Sequence, residues 1–389
     1  MADAFTRIAA RSPAAAPRLA DKPALGFFVV PAAAAEELIP RWVQLALRAV
    51  GDNVFFHPDF AIPAMRRLSP GVALGVVRGV DGRIAALAPF APARLGRIAP
   101  AVRLWAHEYA PLGLPLVDRQ AVAPAVATML EGLAPKAKGL TFIAPDMPMD
   151  SPVAAALIET AQRLGRPVDV LDPHVRGALH RNASGEAPDP RKELATRRRK
   201  EYARQLRRLA DIGEVKFIAA IARGDVEARF EQFMALEAKG WKGHRGSALT
   251  SQATTRDFAR AVVSARAAAG QVRIDAIELG GRPIAMVVSF AAGATAWTWK
   301  IAYDEEWSRF SPGAQLMLDV VGAIFSDATI TAIDSCAAAD HPLIDHIWSG
   351  RLAMGTIVIG PPGGSAVHTV GLAAARAELA ARAAVRHLV

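Results

Sequence analysis

The stretch WTWKIAYDEEWSRFSPGAQLMLD, residues 297–319, joins a predicted strand to a predicted helix. Its first part is rich in Trp, Thr and Ile, which favour a half-buried strand. At the junction, Ser311 is a favourable N-cap, Pro312 suits the first helical position, and Gly313 places no side chain before the next amide. Such a helix start presents unpaired N–H groups and a positive dipole end. The stretch therefore predicts an anion site of the kind that binds phosphate, and a well-capped helix without a ligand is the simpler alternative.

Length and composition are typical of a two-domain globular protein. The chain has 389 residues, of which 52% are hydrophobic and 21% charged. Its one cysteine, Cys336, excludes an intramolecular disulfide framework and favours a reducing compartment. No apolar run approaches the roughly 18 residues of a membrane span. We therefore expect a cytoplasmic protein, with residues 1–24 forming a disordered lead that lacks the pattern of a secretory signal.

The net charge of +9 is concentrated in one segment, RKELATRRRKEYARQLRR, at residues 191–208. This segment holds nine Lys or Arg against two Glu, a net charge of +7, and we predict that it is a helix. Three interpretations are open. The segment is a solvated helix face, a binding site for an acidic polymer such as tRNA, a carrier protein or an anionic polysaccharide precursor, or a membrane-surface contact.

The order of predicted elements repeats in two halves. Each half reads strand, helix, helix, strand, strand, strand, helix, strand, helix, strand, and repetition of a whole order indicates duplicated units. The turns at 80–82 and 280–281 place a hairpin at the same point of each half. We predict an α/β protein with a mixed sheet, divided into an N-terminal domain (25–180), a Pro/Gly-rich linker (181–192), a C-terminal domain (193–362) and a C-terminal helix (363–389).

This order, with the SPGAQL turn after the fourth strand of the second half, resembles the GNAT acyltransferase fold. A closer resemblance is to the tandem-GNAT acetyltransferase-like proteins linked to bacterial cellulose and exopolysaccharide biosynthesis, which are related to the Fem-type aminoacyl transferases. The segments that carry it are LEAKGWKGHRGSAL (236–249), AYDEEWSRFSPGAQLMLD (302–319) and IDSCAAADHPLIDHIW (333–348). The resemblance covers about residues 25–360 and implies two tandem GNAT-like domains.

What the resemblance implies is acyl transfer, with acetyl expected, from a coenzyme A thioester to an amine in envelope or exopolysaccharide biosynthesis, without a metal. In the GNAT pattern, the turn after the fourth strand donates backbone amides to the coenzyme A pyrophosphate. Here that turn holds Arg309, Ser311, Gly313, Ala314 and Gln315. The turn is one residue longer than the pattern and contains a proline. Coenzyme A, a carrier protein and aminoacyl-tRNA all stay open as the acyl carrier, and a catalytically silent binding module is the alternative from another class.

The corresponding stretch of the first half is YAPLGLPLVDRQ, residues 109–120. Pro111 and Pro115 each remove a backbone donor, and no short glycine turn leads into a capped helix. We therefore expect the second half to carry the chemistry and the first half to serve as a non-catalytic platform.

Acyl transfer to an amine requires a base that deprotonates the acceptor, and the sequence offers two candidates. Asp334 ends a predicted strand, where the crevice of an open α/β sheet lies. His341 precedes Pro342 at a predicted helix start, which disfavours the imidazolium form. The alternatives are a structural cap for Asp334 and a surface position for His341. For Cys336 we expect a buried, inert thiol.

Five further residues are predicted to bind substrate. Trp241, Lys242 and Arg245 belong to a donor-rich loop with interspersed glycines, a composition typical of mobile binding loops. Trp299 and Lys300 are consecutive residues of a strand, so we expect one to face the core and the other to face the cleft. The simpler alternative for the loop is an ordinary surface segment.

Overall fold

A computed structural model of the chain describes residues 25–135 and 138–386. The predicted disordered lead (1–24) and the last residues of the predicted C-terminal helix (387–389) lie outside this part of the chain. Within it, no helix is both long and apolar enough to cross a bilayer.

The elements of the first half follow the order that the sequence predicts, with one additional short strand, β5. They are β1 (Leu25–Pro31), α1 (Ile39–Arg48), α2 (Pro58–Leu68), β2 (Ala73–Gly79), β3 (Ile84–Leu95), β4 (Ala99–Leu104), β5 (Leu116–Val117), α3 (Val122–Leu133), β6 (Thr141–Pro148), α4 (Pro152–Arg163) and β7 (Val168–His180). The β2–β3 turn contains Gly82 with φ 76°, a conformation that favours glycine.

The second half repeats this order after two additional helices. Its elements are α5 (Pro190–Glu193), α6 (Thr196–Ala210), β8 (Val215–Ala220), α7 (Arg223–Lys239), α8 (Trp241–His244), α9 (Ala253–Ala268), β9 (Val272–Leu279), β10 (Arg282–Ala292), β11 (Thr295–Tyr303), α10 (Pro312–Phe325), β12 (Ala332–Asp334), α11 (Ile344–Ile347), β13 (Arg351–Ile359) and α12 (Ala366–Arg386).

Two predicted helices differ from the structure. The basic segment is not one helix, because Leu194 is extended (ψ 139°) and buried, which separates α5 from α6. The C-terminal helix begins at Ala366, and its buried Leu372 and Ala375 pack against the end of β3 and the start of β4. Helix α8 is a short turn inside the segment that we predicted to be a loop.

One continuous sheet runs through both halves. Its strand order is β1-β2-β3-β4-β6-β13-β7-β12-β11-β10-β9-β8, with β5 paired to β3. Two neighbouring pairs in this order are parallel, β4 with β6 in the first half and β11 with β12 in the second. A strand-to-helix crossover therefore occurs at the same place in each half.

The two halves exchange strands at the centre of this sheet. Strand β13, from the end of the chain, lies between β6 and β7 of the first half, and β7 in turn pairs with β12 of the second half. The predicted linker at 181–192 therefore divides the chain into two halves, but strands of both halves belong to one sheet.

Besides the sheet, a shared hydrophobic core joins the two halves. Helices α2 and α9 pack against each other, and Phe60 of the first half contacts Phe258, Phe290 and Trp299 of the second at ring-centroid distances of 5.5, 6.0 and 6.2 Å. Aromatic pairs of this kind add about 0.5–1.5 kcal/mol beyond their buried area. The relative position of the halves is therefore fixed by both the sheet and the core.

Candidate active site

The sheet opens between β11 and β12. These strands pair only through residues 295–297 and 332–334, after which β12 ends and β11 continues to Tyr303. The N–H of Asp304 donates to the Ile284 carbonyl oxygen (2.8 Å), so by antiparallel alternation the backbone groups of Ile301 and Tyr303 point away from β10. They face the opening as a free strand edge.

A cleft of about 550 Å³ occupies this opening. Its walls come from the end of β11, the start of α10, the loop before α11, the α7–α8 junction and one residue of α6. The lining residues are Tyr202, Leu236, Glu237, Gly240, Trp241, Lys242, Ile301, Ala302, Tyr303, Ser308, Ser311, Pro312, Gly313, Ala314, His341, Pro342 and Leu343. The volume is that of an ordinary small-molecule site.

The N-terminus of α10 supplies backbone donors to this cleft. Pro312 has no N–H, and the N–H of Gln315 already donates to the Ser311 carbonyl oxygen (3.0 Å). The N–H groups of Gly313 and Ala314 have no acceptor among the described residues. Two free amides at the positive end of a 14-residue helix form an anion-binding arrangement.

Ser311 does not act as the predicted N-cap. It adopts a left-handed conformation (φ 51°, ψ 47°), and its side chain makes no capping hydrogen bond. A β-region conformation is needed for the hydroxyl to reach the first-turn amides, so the left-handed one leaves both the hydroxyl and these amides available to a ligand. A non-glycine residue in this region is strained and is often found at a functional site.

Of the five residues predicted to bind the cofactor, Ser311, Gly313 and Ala314 line the cleft, while Arg309 and Gln315 do not. Arg309 is exposed, and its guanidinium lies 4.8 Å from the Phe310 ring centroid. Gln315 is buried, and its amide donates to the Tyr202 carbonyl oxygen (3.1 Å), so it fastens α10 to α6.

Trp241 and Lys242, both predicted to bind substrate, line the cleft, and Lys242 is anchored there. Its Nζ donates to Glu237 Oε1 (3.1 Å) and to the Ile301 carbonyl oxygen (2.8 Å) on the free edge of β11. Glu237 Oε2 accepts from the Leu249 N–H (2.8 Å). The side chain of Glu237 is fully buried at 0% exposure. This charged pair therefore fixes α7, α8 and β11 relative to one another.

Sequence reasoning missed Glu237, although a signal was present. On α7 it follows Phe230 and Phe233 at spacings of seven and four residues, on the buried face of the helix. A carboxylate at such a core position requires a partner, and an acid there is a marker of a built polar site.

Arg245 lies outside the cleft. Its guanidinium is 5.2 Å from the Trp241 ring centroid, and the residue is exposed. It covers the outer side of the tryptophan and does not face the opening.

Trp299 and Lys300 do not alternate faces as expected. The β10–β11 register shifts between Val288 and Ser289, so that Ser289 pairs with Thr298 while Val288 pairs with Lys300. Trp299 is the extra residue of a β-bulge, which re-aims the side chains around it. The bulge directs Trp299 into the core, where its Nε1 donates to the Tyr109 carbonyl oxygen (2.9 Å), and places Lys300 Nζ 4.7 Å from the Tyr109 ring centroid.

Asp334 does not line the cleft. It is 5% exposed, and its Oδ2 accepts from Nη2 of Arg176 on β7 (2.5 Å), while its Oδ1 accepts from the Cys336 N–H (2.9 Å). Burial and the charge of Asp334 raise the pKa of the Cys336 thiol well above its usual value. The position of Asp334 is that of the structural cap, the alternative to the predicted base.

His341 lines the cleft but offers no free basic nitrogen. Its Nδ1 accepts from the N–H groups of Leu343 (3.2 Å) and Ile344 (3.3 Å), and burial is the main cause that lowers the pKa of the ring. A neutral imidazole whose Nδ1 is an acceptor carries its proton on Nε2. In this arrangement His341 is a hydrogen-bond donor toward the cleft.

In the first half, the equivalent opening between β4 and β6 is filled by the loop at 105–118. The N–H of Gly113 donates to the Asp146 carbonyl oxygen of β6 (3.1 Å), and Leu112 and Leu114 are buried. Asn53 Nδ2 holds the loop by donating to the carbonyl oxygens of Leu112 (3.2 Å) and Leu114 (2.7 Å). The loop occupies the space that is free in the second half.

Helix α6 lies beside the cleft and carries the basic charge on its outer face. Tyr202 lines the cleft, and Arg198 Nη1 donates to the His346 carbonyl oxygen (2.8 Å) across the α11 wall. The opposite face forms an exposed basic stripe of Arg197, Lys200, Arg204, Arg207 and Arg208. Only Arg204 of this stripe has an ion-pair partner among the described residues, Glu201 (2.6 Å).

Comparisons with known proteins agree with this architecture. Residues 196–341 match the family model described as an acetyltransferase (GNAT) domain. A search of curated protein sequences found no match. Solved structures with a similar fold include FemX, at 10% sequence identity and a TM-score of 0.53, covering 82% of this chain and 95% of that chain.

Two other solved structures have similar values. The C-terminal domain (DUF2156) of a protein named as a lysylphosphatidylglycerol synthetase from Agrobacterium fabrum is 13% identical with a TM-score of 0.51, covering 87% of this chain and 96% of that chain. A conserved protein of unknown function from Bacteroides thetaiotaomicron is 10% identical with a TM-score of 0.52, covering 87% and 100%. At these identities the likeness concerns the fold.

The fold is thus mixed α/β with two tandem GNAT-like domains on one sheet, as predicted. The second domain has the GNAT acyltransferase architecture, with the open cleft at its parallel strand pair.

Proposed function

We propose that the protein is an N-acyltransferase that binds an acyl-CoA thioester in the cleft of the second half and transfers the acyl group, with acetyl expected, to an amine. The observation that carries the proposal is the pair of free amides, Gly313 and Ala314, at the end of a cleft that follows the free edge of β11. A phosphate-bearing thioester fits a helix N-terminus and a strand edge of this kind.

The residues present suit both parts of such a ligand. The free amides of α10 and the uncapped hydroxyl of Ser311 would hold its phosphates, and the backbone of Ile301 and Tyr303 would hydrogen-bond its amide chain. The bound thioester would supply an activated acyl group. His341 Nε2–H is a donor on the cleft wall for a carbonyl oxygen that gains negative charge during transfer.

Among the described residues that line the cleft, Glu237 is the one with a carboxylate. We assign to Glu237 the role of the base that accepts a proton from the acceptor ammonium. Its two oxygens accept one N–H each, which leaves further lone-pair positions on the carboxylate. Asp334 is not assigned this role, because it does not line the cleft and its carboxylate is directed to Arg176.

The binding half of the proposal is tested by Gly313→Asp, which places a carboxylate where the α10 dipole attracts phosphate. A Cβ at Gly313 would lie 3.4 Å from Tyr303 Cδ1, an ordinary contact, so the fold should tolerate the change. The matched control is Ala123→Asp, at the second position of α3 in the first half, where the residue is exposed.

For the parent protein and Ala123→Asp, acetyl-CoA at 100 times its dissociation constant should add about 2.7 kcal/mol to the free energy of unfolding. For Gly313→Asp at the same acetyl-CoA concentration the gain should fall to about 0.4 kcal/mol, because affinity falls by about 100-fold or about 2.8 kcal/mol. An unchanged thermal shift for folded Gly313→Asp would place the thioester elsewhere. Absence of a shift for the parent with any acyl-CoA would favour a catalytically silent binding module.

A second candidate, aminoacyl transfer from charged tRNA, is favoured by the basic stripe on α6 beside the cleft. FemX and the lysylphosphatidylglycerol synthetase domain share the fold, and the second name describes attachment of lysine to a lipid. Each phosphate that the stripe neutralises would steepen the salt dependence of binding by about 0.7–0.9 in log–log slope.

Arg197→Gln combined with Lys200→Gln and Arg207→Gln should therefore reduce the salt dependence of tRNA binding. No tRNA binding at low salt would exclude this candidate. A role in envelope, exopolysaccharide or cellulose biosynthesis stays a prediction from the resemblance of the sequence.

A further inference from the structure

Lys300 is held at the boundary between the two halves. The β-bulge at Trp299 turns Lys300 toward the first half, where its Nζ lies 4.7 Å from the Tyr109 ring centroid. Lys300 is half-buried, and its ammonium is not among the polar atoms that are sealed from solvent without a partner. The ammonium therefore keeps some contact with solvent.

Tyr109 is fixed in place by contacts from both halves. Its carbonyl oxygen accepts from Trp299 Nε1 (2.9 Å), and its ring packs 5.8 Å from the Phe258 ring. The next residue, Ala110, exchanges backbone hydrogen bonds with His107. The aromatic surface under Lys300 is therefore preformed, and the first half contributes it.

The two lysines of this region differ in their partners. Lys242 donates to Glu237 and to the Ile301 carbonyl oxygen. Lys300 has a cation–π contact and, among the described residues, neither a hydrogen-bond acceptor nor an ion pair. Ile301, the residue after Lys300, accepts from Lys242, which in turn donates to Glu237, so the three groups lie near one another. Burial lowers the pKa of Lys300, and the carboxylates of Glu237 and Glu108 oppose this change.

A half-buried ammonium without a protein acceptor is incompletely solvated, and an anion beside it restores the lost interaction. The carboxylate of Glu237 does not do so in this structure, because its hydrogen bonds go to Lys242 and to the Leu249 N–H and none goes to Lys300. The site therefore has one unused positive charge on a rigid aromatic support, a short distance from the carboxylate that lines the cleft.

We propose that Lys300 and Tyr109 form an acceptor subsite that binds an anionic group, a carboxylate or a phosphate, of the amine substrate. This rests on the proposed acyltransferase function for its role in turnover, although anion binding at Lys300 can be measured without it. The acceptor would then place its ammonium at Glu237 and its anionic group at Lys300. Amino acids and phosphorylated amino sugars have this combination of charges.

The test measures the reactivity of Lys300 itself in the full-length protein. Brief reductive methylation with formaldehyde and cyanoborohydride, followed by peptide mass spectrometry, gives the methylation rate of each lysine. Inorganic phosphate and propionate are the two anionic probes, and chloride at equal ionic strength is the reference. Lys192, whose side chain is 83% exposed, is the internal control.

We expect phosphate or propionate to slow methylation of Lys300 about threefold at twice the probe's dissociation constant, with Lys192 unchanged. Protection by phosphate alone assigns a phosphorylated acceptor, and protection by propionate alone assigns a carboxylate. Equal rates in all three salts would overturn the proposal, as would a Lys300 that does not react because reagents cannot reach it.

Tyr109→Leu provides the second variant, because it removes the ring but keeps an apolar side chain. Anion protection of Lys300 should weaken in this variant, and undiminished protection would remove Tyr109 from the subsite. Failure of the proposed function would show separately, as a missing thermal shift with acetyl-CoA while protection of Lys300 persists.

Discussion

The two halves contain the same opening in the sheet and use it differently. In the first half, the chain between β4 and α3 runs from 105 to 121, and its loop fills the space beside β6. In the second half, the chain between β11 and α10 runs only from 304 to 311, and the space stays open as the cleft.

In this protein, the opening beside a parallel strand pair stays free where the connection after the pair is short and is filled where the connection is long. A short connection brings a helix N-terminus to the free strand edge, as α10 is brought to β11. A long connection fills the opening from within the chain and bonds the strand on its other side, as Gly113 does with Asp146 of β6. A backbone edge without a ligand or an internal partner would be left to water.

The largest expected effect concerns the ion pair that ties the filled opening to the second half. Arg176 donates to Asp334 of β12 and, through Nη1, to the Pro111 carbonyl oxygen of the filling loop (2.5 Å). Arg176→Met leaves Asp334 buried without its partner and should lower the free energy of unfolding by about 3–5 kcal/mol. Denaturant unfolding measures this change.

The control for that variant is Arg376→Met, which breaks the Arg376–Asp169 pair (2.8 Å), in which the arginine side chain is 57% exposed. This change should cost no more than about 1 kcal/mol. Equal losses in the two variants would show that the Arg176–Asp334 pair does not hold the halves together.

Lowering the pH should destabilise the loop that fills the first-half opening. Burial lowers the pKa of His107, in the filling loop, to about 4. Because the folded-state pKa lies below the ordinary value of about 6.5, its stabilising contribution is complete above pH ~6.5. This contribution is lost as the pH falls toward ~4, where the loss of unfolding free energy amounts to about 3 kcal/mol.

His107→Asn removes the titrating group from the loop. The fall in unfolding free energy between pH 6.5 and 4 should be smaller in this variant by about the same 3 kcal/mol. Parallel pH profiles for parent and variant would mean that His107 is protonated in the folded loop without cost.

Loss of the residue that holds the filling loop should have a smaller effect. Asn53 is 3% exposed, donates to Leu112 and Leu114, and accepts from the Phe55 N–H (2.9 Å). Asn53→Ala leaves these buried groups unpaired and should cost about 2–3 kcal/mol in thermal or denaturant unfolding.

Asn182→Ala is its matched control, because the Asn182 side chain also makes three hydrogen bonds, but in an exposed turn with Ser184 and Glu186. Water replaces the lost partners there, so the cost should be about 0.5 kcal/mol or less. A similar cost at both positions would argue against a tightly held loop at 105–118.

The smallest expected effect on stability is at the open cleft. Ser311→Gly relieves the left-handed strain, worth about 1–2 kcal/mol, but raises the entropy of the unfolded chain, so the net change should stay within about 1 kcal/mol. The variant also removes the free hydroxyl, and affinity for acetyl-CoA should fall about fivefold in calorimetric titration. Unchanged affinity would remove the Ser311 side chain from the donor site.

The sequence predicts the features that depend on local patterns. Alternation, turn residues and helix starts identify the order of elements in both halves, and the SPG turn identifies the helix start at the cleft. Trp241 and Lys242, predicted from a donor-rich loop with glycines, and His341, predicted from a helix start, line the cleft.

The features that the sequence does not predict depend on long-range contacts or local distortion. The Arg176–Asp334 pair joins residues 158 positions apart. The sequence alone does not show this partner, and without it the position of Asp334 at a strand end suggests a base. No local pattern in the sequence predicts that β13 inserts between β6 and β7. The bulge at Trp299 and the left-handed Ser311 each reverse an expectation that assumed regular geometry.

Hydrogen–deuterium exchange with and without saturating acetyl-CoA compares the two openings in one experiment. We expect slower exchange at residues 299–303, at the start of α10 with its Gly313 and Ala314 amides, and at 341–344. Exchange at 105–117 and 141–148 should not change. Protection at 105–117 without protection at the start of α10, or no protection at either opening, would contradict this expectation.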